Sequence, residues 1–387
     1  MSIPKLLRFE NNHTRPDLRG WPWADRLRYS GLAQQLLVET TPPQKEDMAM
    51  ITHTTAVCRL FPTLLLALLA APVLYAQSGI PRTTDGKPDL QGIWSNGTQT
   101  PLERPARFAD RRFMSEEEAL AMQQDAQRRE IAADAPSDPD RPPPSDGNTA
   151  AAYNTFWLDR GIQVVEIDGE YRTSMIIDPP DGRIPFRDGA PEQNFMEQLR
   201  DIHGADAFLG PEMATIGERC LLFYDFRTSN SSVGPPMMPM IYNNNYQIVQ
   251  NTDYVAMSAE MMHDTRIFRI GSAHQAAEIH KWMGDSVAHW EDDTLVISTR
   301  NMHLQQSHFG SGPGLTVTER LRMVSADKIV YSFTMHDEVA YTQPWTAEMV
   351  FHRRPSEERI YEFACHEGNY ALPGILAGAR RLEQASD

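Results

Sequence analysis

The stretch Leu315–Met323 reads LTVTERLRM and alternates apolar and polar residues at nearly every step. Leu315, Val317, Leu321 and Met323 share one parity, and Thr316, Thr318, Arg320 and Arg322 share the other. Successive side chains of a β-strand point to opposite faces, so this is a strand with one buried and one wet face. A turn at Ala326-Asp327 leads into a partner run, KIVYSFTM (328–335). The same period of two recurs in IQVVEI (162–167), EYRTSMII (170–177), YQIVQ (246–250), YVAMSAEM (254–261), TRIFRI (265–270), TLVIST (294–299), WTAEMVFHR (345–353) and IYEFAC (360–365). About ten short strands with few helices between them predict a mainly β fold, an antiparallel barrel or sandwich with a few peripheral helices.

Turn chemistry supports the pattern. Asp168-Gly169 between two strand runs is a strong hairpin signal, and Asn251-Thr252-Asp253 and Glu291-Asp292-Asp293 mark further turns. Ser115-Glu116-Glu117-Glu118 is a capping box and opens a surface helix, EEEALAMQQDAQRREIAA. A second helical stretch is expected over PEQNFMEQLRDI (191–202). In KPDLQGIW (87–94) a Pro-Asp turn delivers Trp94 as a core plug. The chain is therefore divided into 77–150, an N-terminal extension with one helix and a Pro-rich loop, and 151–387, the antiparallel β domain.

Ahead of these, Arg59 precedes LFPTLLLALLAAPVLYA (60–76), an apolar core ending in a small residue, which is the form of a secretory signal. It is shorter than the roughly 20 apolar residues of a span and is interrupted by Pro62 and Pro72, so no stable membrane span is expected after cleavage. Residues 48–76 are read as the signal peptide, from Met48 or Met50. Residues 1–47 are read as lying outside the native protein; the alternative is an uncleaved anchor. The expected location is the periplasm or the medium. There Cys220 and Cys365, the two cysteines beyond the signal, most simply pair; the alternative is that Cys365, beside His366 and Glu367, is a nucleophile.

A net charge of −16 leaves no basic surface for nucleic acid. No G-x-G-x-x-G, P-loop, G-x-S-x-G or H-E-x-x-H occurs, so no cofactor is called for. His280, Asp285 and His289 match no tight ligand spacing, and no metal is assigned.

Candidate chemistry comes from polar residues on apolar faces. Glu319 breaks the apolar parity of LTVTERLRM, where burial would raise its pKa into the range of a general acid or base; the alternative is an ion pair across the barrel with Arg266. Continuing the parity of Val255, Met257, Ala259 and Met261 places His263 on the same face, with Asp264 adjoining to fix its tautomer and Glu260 on the solvated face. Arg266, the amides Asn243, Asn244 and Asn245, and Trp345 are the ligand-binding candidates; the Asn run is otherwise a tight loop. His366 and Glu367 are a second polar pair, and His303 and His308 are read as exposed.

The stretches PDLQGIW (88–94), TSMIIDPPDGRIP (173–185), GERCLLF (217–223), YNNNYQIVQ (242–250), HDTRI (263–267), TERLRMVSADKIVYSFT (318–334) and YEFACHEGNYALPGILAGAR (361–380) together resemble a family of exported bacterial proteins without an assigned activity. The resemblance implies that Cys220, Cys365, His263, Asp264, Glu319, His366 and Glu367 belong to family motifs, and it supplies no chemistry. HWEDDTLVI (289–297) is similar to strand entries of lipocalin-like barrels, a likeness of fold alone. The function expected is cofactor-independent acid–base chemistry, of hydratase, dehydratase, isomerase or lyase type, on a hydrophobic small molecule. The alternative is a periplasmic binding or carrier protein for an apolar ligand.

Overall fold

The structure is a computed structural model that describes residues 79–134, 159–189, 210–222, 234–240, 243–303 and 308–386. The expected signal segment, residues 1–47, the Pro-rich loop and the helical stretch 191–202 lie outside the described residues. In chain order the strands are β1 (Gly92–Ser95), β2 (Phe113–Met114), β3 (Glu166–Ile167), β4 (Glu170–Arg172), β5 (Ile176–Asp178), β6 (Asn245–Gln250), β7 (Tyr254–Ala259), β8 (Thr265–Ile270), β9 (Asp285–Glu291), β10 (Thr294–Arg300), β11 (Thr316–Ser325), β12 (Lys328–His336) and β13 (Trp345–Arg353). The α-helices are α1 (Glu116–Asp134) and α2 (Ala371–Ser386).

Strands β6 to β13 follow one another around a sheet that β1 closes, pairing Trp94 with Tyr246 on one side and with Arg353 on the other. The result is a nine-stranded barrel, and β5 adds to the β13 edge of the same sheet. Closure removes the unpaired edges that an open sheet would expose. The closing strand comes from the segment expected to be an N-terminal extension, so residues 77–150 are in part integral to the barrel. One pairing departs from the antiparallel expectation: β8 and β9 run parallel, with Arg269 opposite Val287. Parallel neighbours need a crossover, and here residues 271–284 provide it. Gly284, at φ +69, ends this crossover so close to the wall that a Cβ would lie 2.8 Å from Arg300 O and Met302 Sδ.

The alternation works as expected inside the barrel. Val317, Leu321, Met323, Leu295, Ile297, Phe333, Met335 and Met349 are all buried. Trp94 is fully buried, and its indole N–H donates to Leu90 O at 2.9 Å. A second, smaller sheet of β2, β4 and β3 packs with α1 around Phe108, Met114, Ala119 and Val164. Its hairpin turns at Asp168 (φ 56) and Gly169 (φ 83), two left-handed residues in succession, as a tight two-residue turn requires. The capping box on α1 is formed: Glu118 N donates to Ser115 Oγ at 3.1 Å, and Ser115 N to Glu118 Oε2 at 2.8 Å.

One expected strand is missing and one helix was not expected. Residues 360–365 form no strand, because the chain beyond Arg353 leaves the sheet and its carbonyls and amides find turn partners instead. The helix α2, which the strand-period reading does not mark, follows directly at Ala371.

Candidate functional site

At the barrel centre, Arg266 on β8 and Glu319 on β11 face each other. Nη1 donates to Oε1 at 2.9 Å and Nη2 to Oε2 at 2.5 Å. Nη2 also donates to Thr299 Oγ1 at 3.1 Å, and the Tyr331 hydroxyl donates to Glu319 Oε1 at 2.6 Å. Burial alone would lower the Arg266 guanidinium, but the charge and hydrogen bonds of Glu319 outweigh it and hold it above its ordinary value. A bidentate pair with its remaining acceptor capacity filled is how a buried carboxylate is tolerated. Glu319 and Arg266 are thus brought together as the ion pair weighed above.

The segment 234–240 closes over this pair. Met237 N donates to Tyr331 OH at 3.1 Å, and Asn96 Nδ2 donates to Met237 O at 3.1 Å. Met237 and Met238 are buried in the core, where flexible methionine side chains fill irregular space.

His263, Asp264 and Asn245 lie at the rim where β7, β10 and β12 end and β6, β8, β9, β11 and β13 begin. Between β7 and β8 the chain makes a short 3-10 turn, Met261–His263, with Met262 at φ 60 and His263 at φ 45. Two non-glycine residues in the left-handed region cost on the order of 1–2 kcal/mol each. This turn breaks the strand parity: His263 is exposed rather than facing the apolar interior, and Glu260 is buried rather than solvated. The Glu260 carboxylate accepts from Asn245 Nδ2 at 2.7 Å and from Tyr361 N at 3.1 Å, which ties the C-terminal segment to the rim. Asp264 is half-buried and its Oδ2 has no partner. Burial pushes its carboxyl up to about 7, against the opposing charge of His263.

Sequence reasoning missed His308. It is buried, not exposed, and neither ring nitrogen has a partner. Burial, reinforced by the positive charge of Arg266, lowers its imidazole to about 4. Beside it Phe309 and Gly310 both take positive φ, and Tyr341 OH donates to Phe309 O at 2.9 Å; none of this is legible in the local sequence. His303, also expected to be exposed, is half-buried and stacks on Trp282 at 3.9 Å. Trp345 is buried within an aromatic cluster, with Phe309 and Phe333 each 5.5 Å away edge-on.

The remaining candidates separate. Asn243 (φ 55) and Asn244 build the loop, the latter accepting from Met240 N at 2.6 Å and donating to Asp159 O, while Asn245 sits on the rim. Cys220 and Cys365 are bonded, with Cα atoms 5.8 Å apart, so the nucleophile reading of Cys365 falls away. His366 and Glu367 beside the bond are exposed. His280 bonds Met302 O at 2.9 Å, His289 pairs with Glu291 at 3.1 Å, and Asp285 is taken up by Arg269 and Lys281, so these three do not converge. Among the described residues no cluster of three or more His, Cys, Asp or Glu side chains gathers to hold a metal, and no helix is long and apolar enough to cross a membrane.

In comparisons with known proteins, no family model matches the chain and no curated protein matches it.

Proposed function

We propose that the protein is an exported β-barrel enzyme that carries out cofactor-independent acid–base chemistry on a hydrophobic small molecule held at this rim, with Asp264 as the proton carrier. The observation that carries the reading is Asp264 itself: a carboxyl brought to about 7 by burial, with Oδ2 lacking a partner, on a strained turn. A group that titrates near neutral pH serves equally as donor and acceptor. Asn245 Oδ1, Arg266 Nε, Asn96 Oδ1 and both nitrogens of His308 are further buried polar atoms without partners on the same side of the barrel. Buried polar groups are paired in nearly all folded proteins, and a bound molecule or water completes sets like this one.

Hydration, dehydration, isomerisation and elimination need only such proton transfers. Glu319 takes a supporting role in this scheme, because its oxygens are committed to Arg266 and Tyr331. Export rests on the Arg59–Ala76 pattern and on the Cys220–Cys365 bond, which suits an oxidising compartment.

A carrier that holds an apolar ligand without turnover uses the same unpartnered atoms and is the second reading. The two separate when the protein is incubated in D₂O with a panel of terpenoid alcohols and aromatic enones and the products are read by mass spectrometry. The enzyme reading expects deuterium incorporation or a gain or loss of water, abolished in Asp264→Asn. Turnover unchanged in that variant would refute the role of Asp264, and binding without chemistry would favour the carrier.

A further inference from the structure

On the outer wall, where β9 and β10 meet the crossover, three side chains are in line. Ser298 Oγ lies 3.1 Å from His274 Nε2, and His274 Nδ1 lies 3.1 Å from Asp285 Oδ2. Ser298 projects outward from β10, since its neighbours Ile297 and Thr299 are the buried, inward ones. His274 stands on the β8–β9 crossover, and Asp285 is the first residue of β9. We propose that Ser298, His274 and Asp285 form a nucleophilic triad that cleaves small carboxylic esters.

The order of roles follows from hydrogen-bond chemistry. A carboxylate only accepts, so the His274 proton sits on Nδ1 facing Asp285. That leaves the Nε2 lone pair toward Ser298, whose hydroxyl donates to it, the arrangement a serine nucleophile needs. Asp285 is built to stay a carboxylate. Burial works to raise it, but the Gln275 amide at 2.9 Å, Lys281 at 3.1 Å, His274 and Arg269 at 3.0 Å together hold it below its ordinary range.

The crossover that carries His274 is pinned at several points. Arg269 Nη2 donates to Ala273 O at 3.2 Å, Asn301 Nδ2 to Ala276 O at 3.2 Å, Lys281 N to Asn301 O at 3.1 Å, and Gly271 N to Ala288 O at 2.8 Å. The base is therefore held in place rather than carried on a free loop. Both Ser298 and His274 are half-buried, so a small ester reaches the hydroxyl from solvent.

In the reaction Ser298 Oγ adds to the ester carbonyl carbon as its proton passes to His274 Nε2. The intermediate collapses with cleavage of the bond to the alcohol oxygen, which leaves with that proton. Water then adds to the acyl-serine with His274 again as base, releasing the acid and restoring Ser298, so one ester and one water give one acid and one alcohol. The amides of β10 are paired on both sides, with β9 and β11, and do not offer an oxyanion hole. The substrate class is accordingly the ester and not the less reactive amide.

The test is labelling of the full chain with an alkyl fluorophosphonate, where Ser298 Oγ displaces fluoride and the hydroxyl proton leaves on His274. Peptide mass spectrometry should place one adduct on Ser298. It should be absent in Ser298→Ala and at least tenfold slower in His274→Gln, and p-nitrophenyl acetate hydrolysis should fall in step. Asp285→Asn should slow labelling and Asp285→Glu should partly restore it, a rescue by the conservative variant that a purely structural carboxylate does not produce. No adduct on Ser298 in the folded protein, or equal labelling in His274→Gln, would overturn the proposal and leave His274 as a clasp between crossover and wall.

Discussion

Arg266 and Glu319 lie 53 residues apart in sequence and meet inside the barrel through hydrogen bonds of 2.9 and 2.5 Å, with side chains almost wholly shut off from solvent. The pair links β8 to β11, strands that are not neighbours in the sheet. Through Tyr331 it also reaches Met237 in the segment that closes the barrel. One polar network thus connects two parts of the wall and its cover.

Breaking that network from one side should be costly. In Glu319→Gln the guanidinium stays buried without its counter-charge, and the loss expected is about 3–5 kcal/mol. The double replacement Arg266→Met with Glu319→Leu should recover much of it, because no charge is then stranded. Denaturant titration of the three variants checks this; a Glu319→Gln protein as stable as the wild type would contradict it.

His308 predicts a pH dependence. Its folded value is about 4 against 6.5 for the free side chain, so between those values the unfolded chain binds a proton that the folded protein does not. Stability contributed by the neutral ring is complete above pH 6.5 and falls as pH drops toward 4, by about 3 kcal/mol in all. Asp264 acts with the opposite sign: raised from 3.8 to about 7, it favours the folded state at low pH and loses that advantage as pH rises through 7. Urea midpoints measured from pH 4 to 8 should therefore show a shallower acid loss in His308→Leu and a steeper one in Asp264→Asn.

How much of this was legible beforehand depends on the range of the interaction involved. The strands around LTVTERLRM, the Asp168-Gly169 hairpin and the capping box at Ser115 are local patterns, and each formed as read. Glu319 stood out because it violated an alternation, and Arg266 was a named partner. His263 and Glu260 were placed on each other's side because parity holds only while the backbone stays extended, and Met262 and His263 turn left-handed. His308 was hidden because its segment is held down by Tyr341, from the distant β12–β13 connection, whose hydroxyl donates to His308 O and Phe309 O. The β8–β9 crossover likewise brings His274 to Ser298 across 24 residues, and no periodicity encodes that.

The Cys220–Cys365 bond closes a loop of 145 residues and ties the chain beyond the barrel to the segment before the cover. In the chain-entropy account such a loop is worth up to about 5 kcal/mol, with 2–5 kcal/mol usual for removing a native bond. Cys220→Ser with Cys365→Ser should lower the unfolding midpoint accordingly, and thiol titration of the unreduced, denatured protein after removal of residues 1–76 should find no free thiol. Two free thiols would contradict the pairing.

The central claim is that Asp264 holds a proton near neutral pH at the barrel rim. ¹³C NMR of the protein carrying aspartate labelled at the carboxyl carbon reads that directly. The account predicts one carboxyl resonance titrating close to pH 7 and missing from the spectrum of Asp264→Asn. If every aspartate titrates below about pH 5, Asp264 is an ordinary surface carboxylate and the acid–base reading fails.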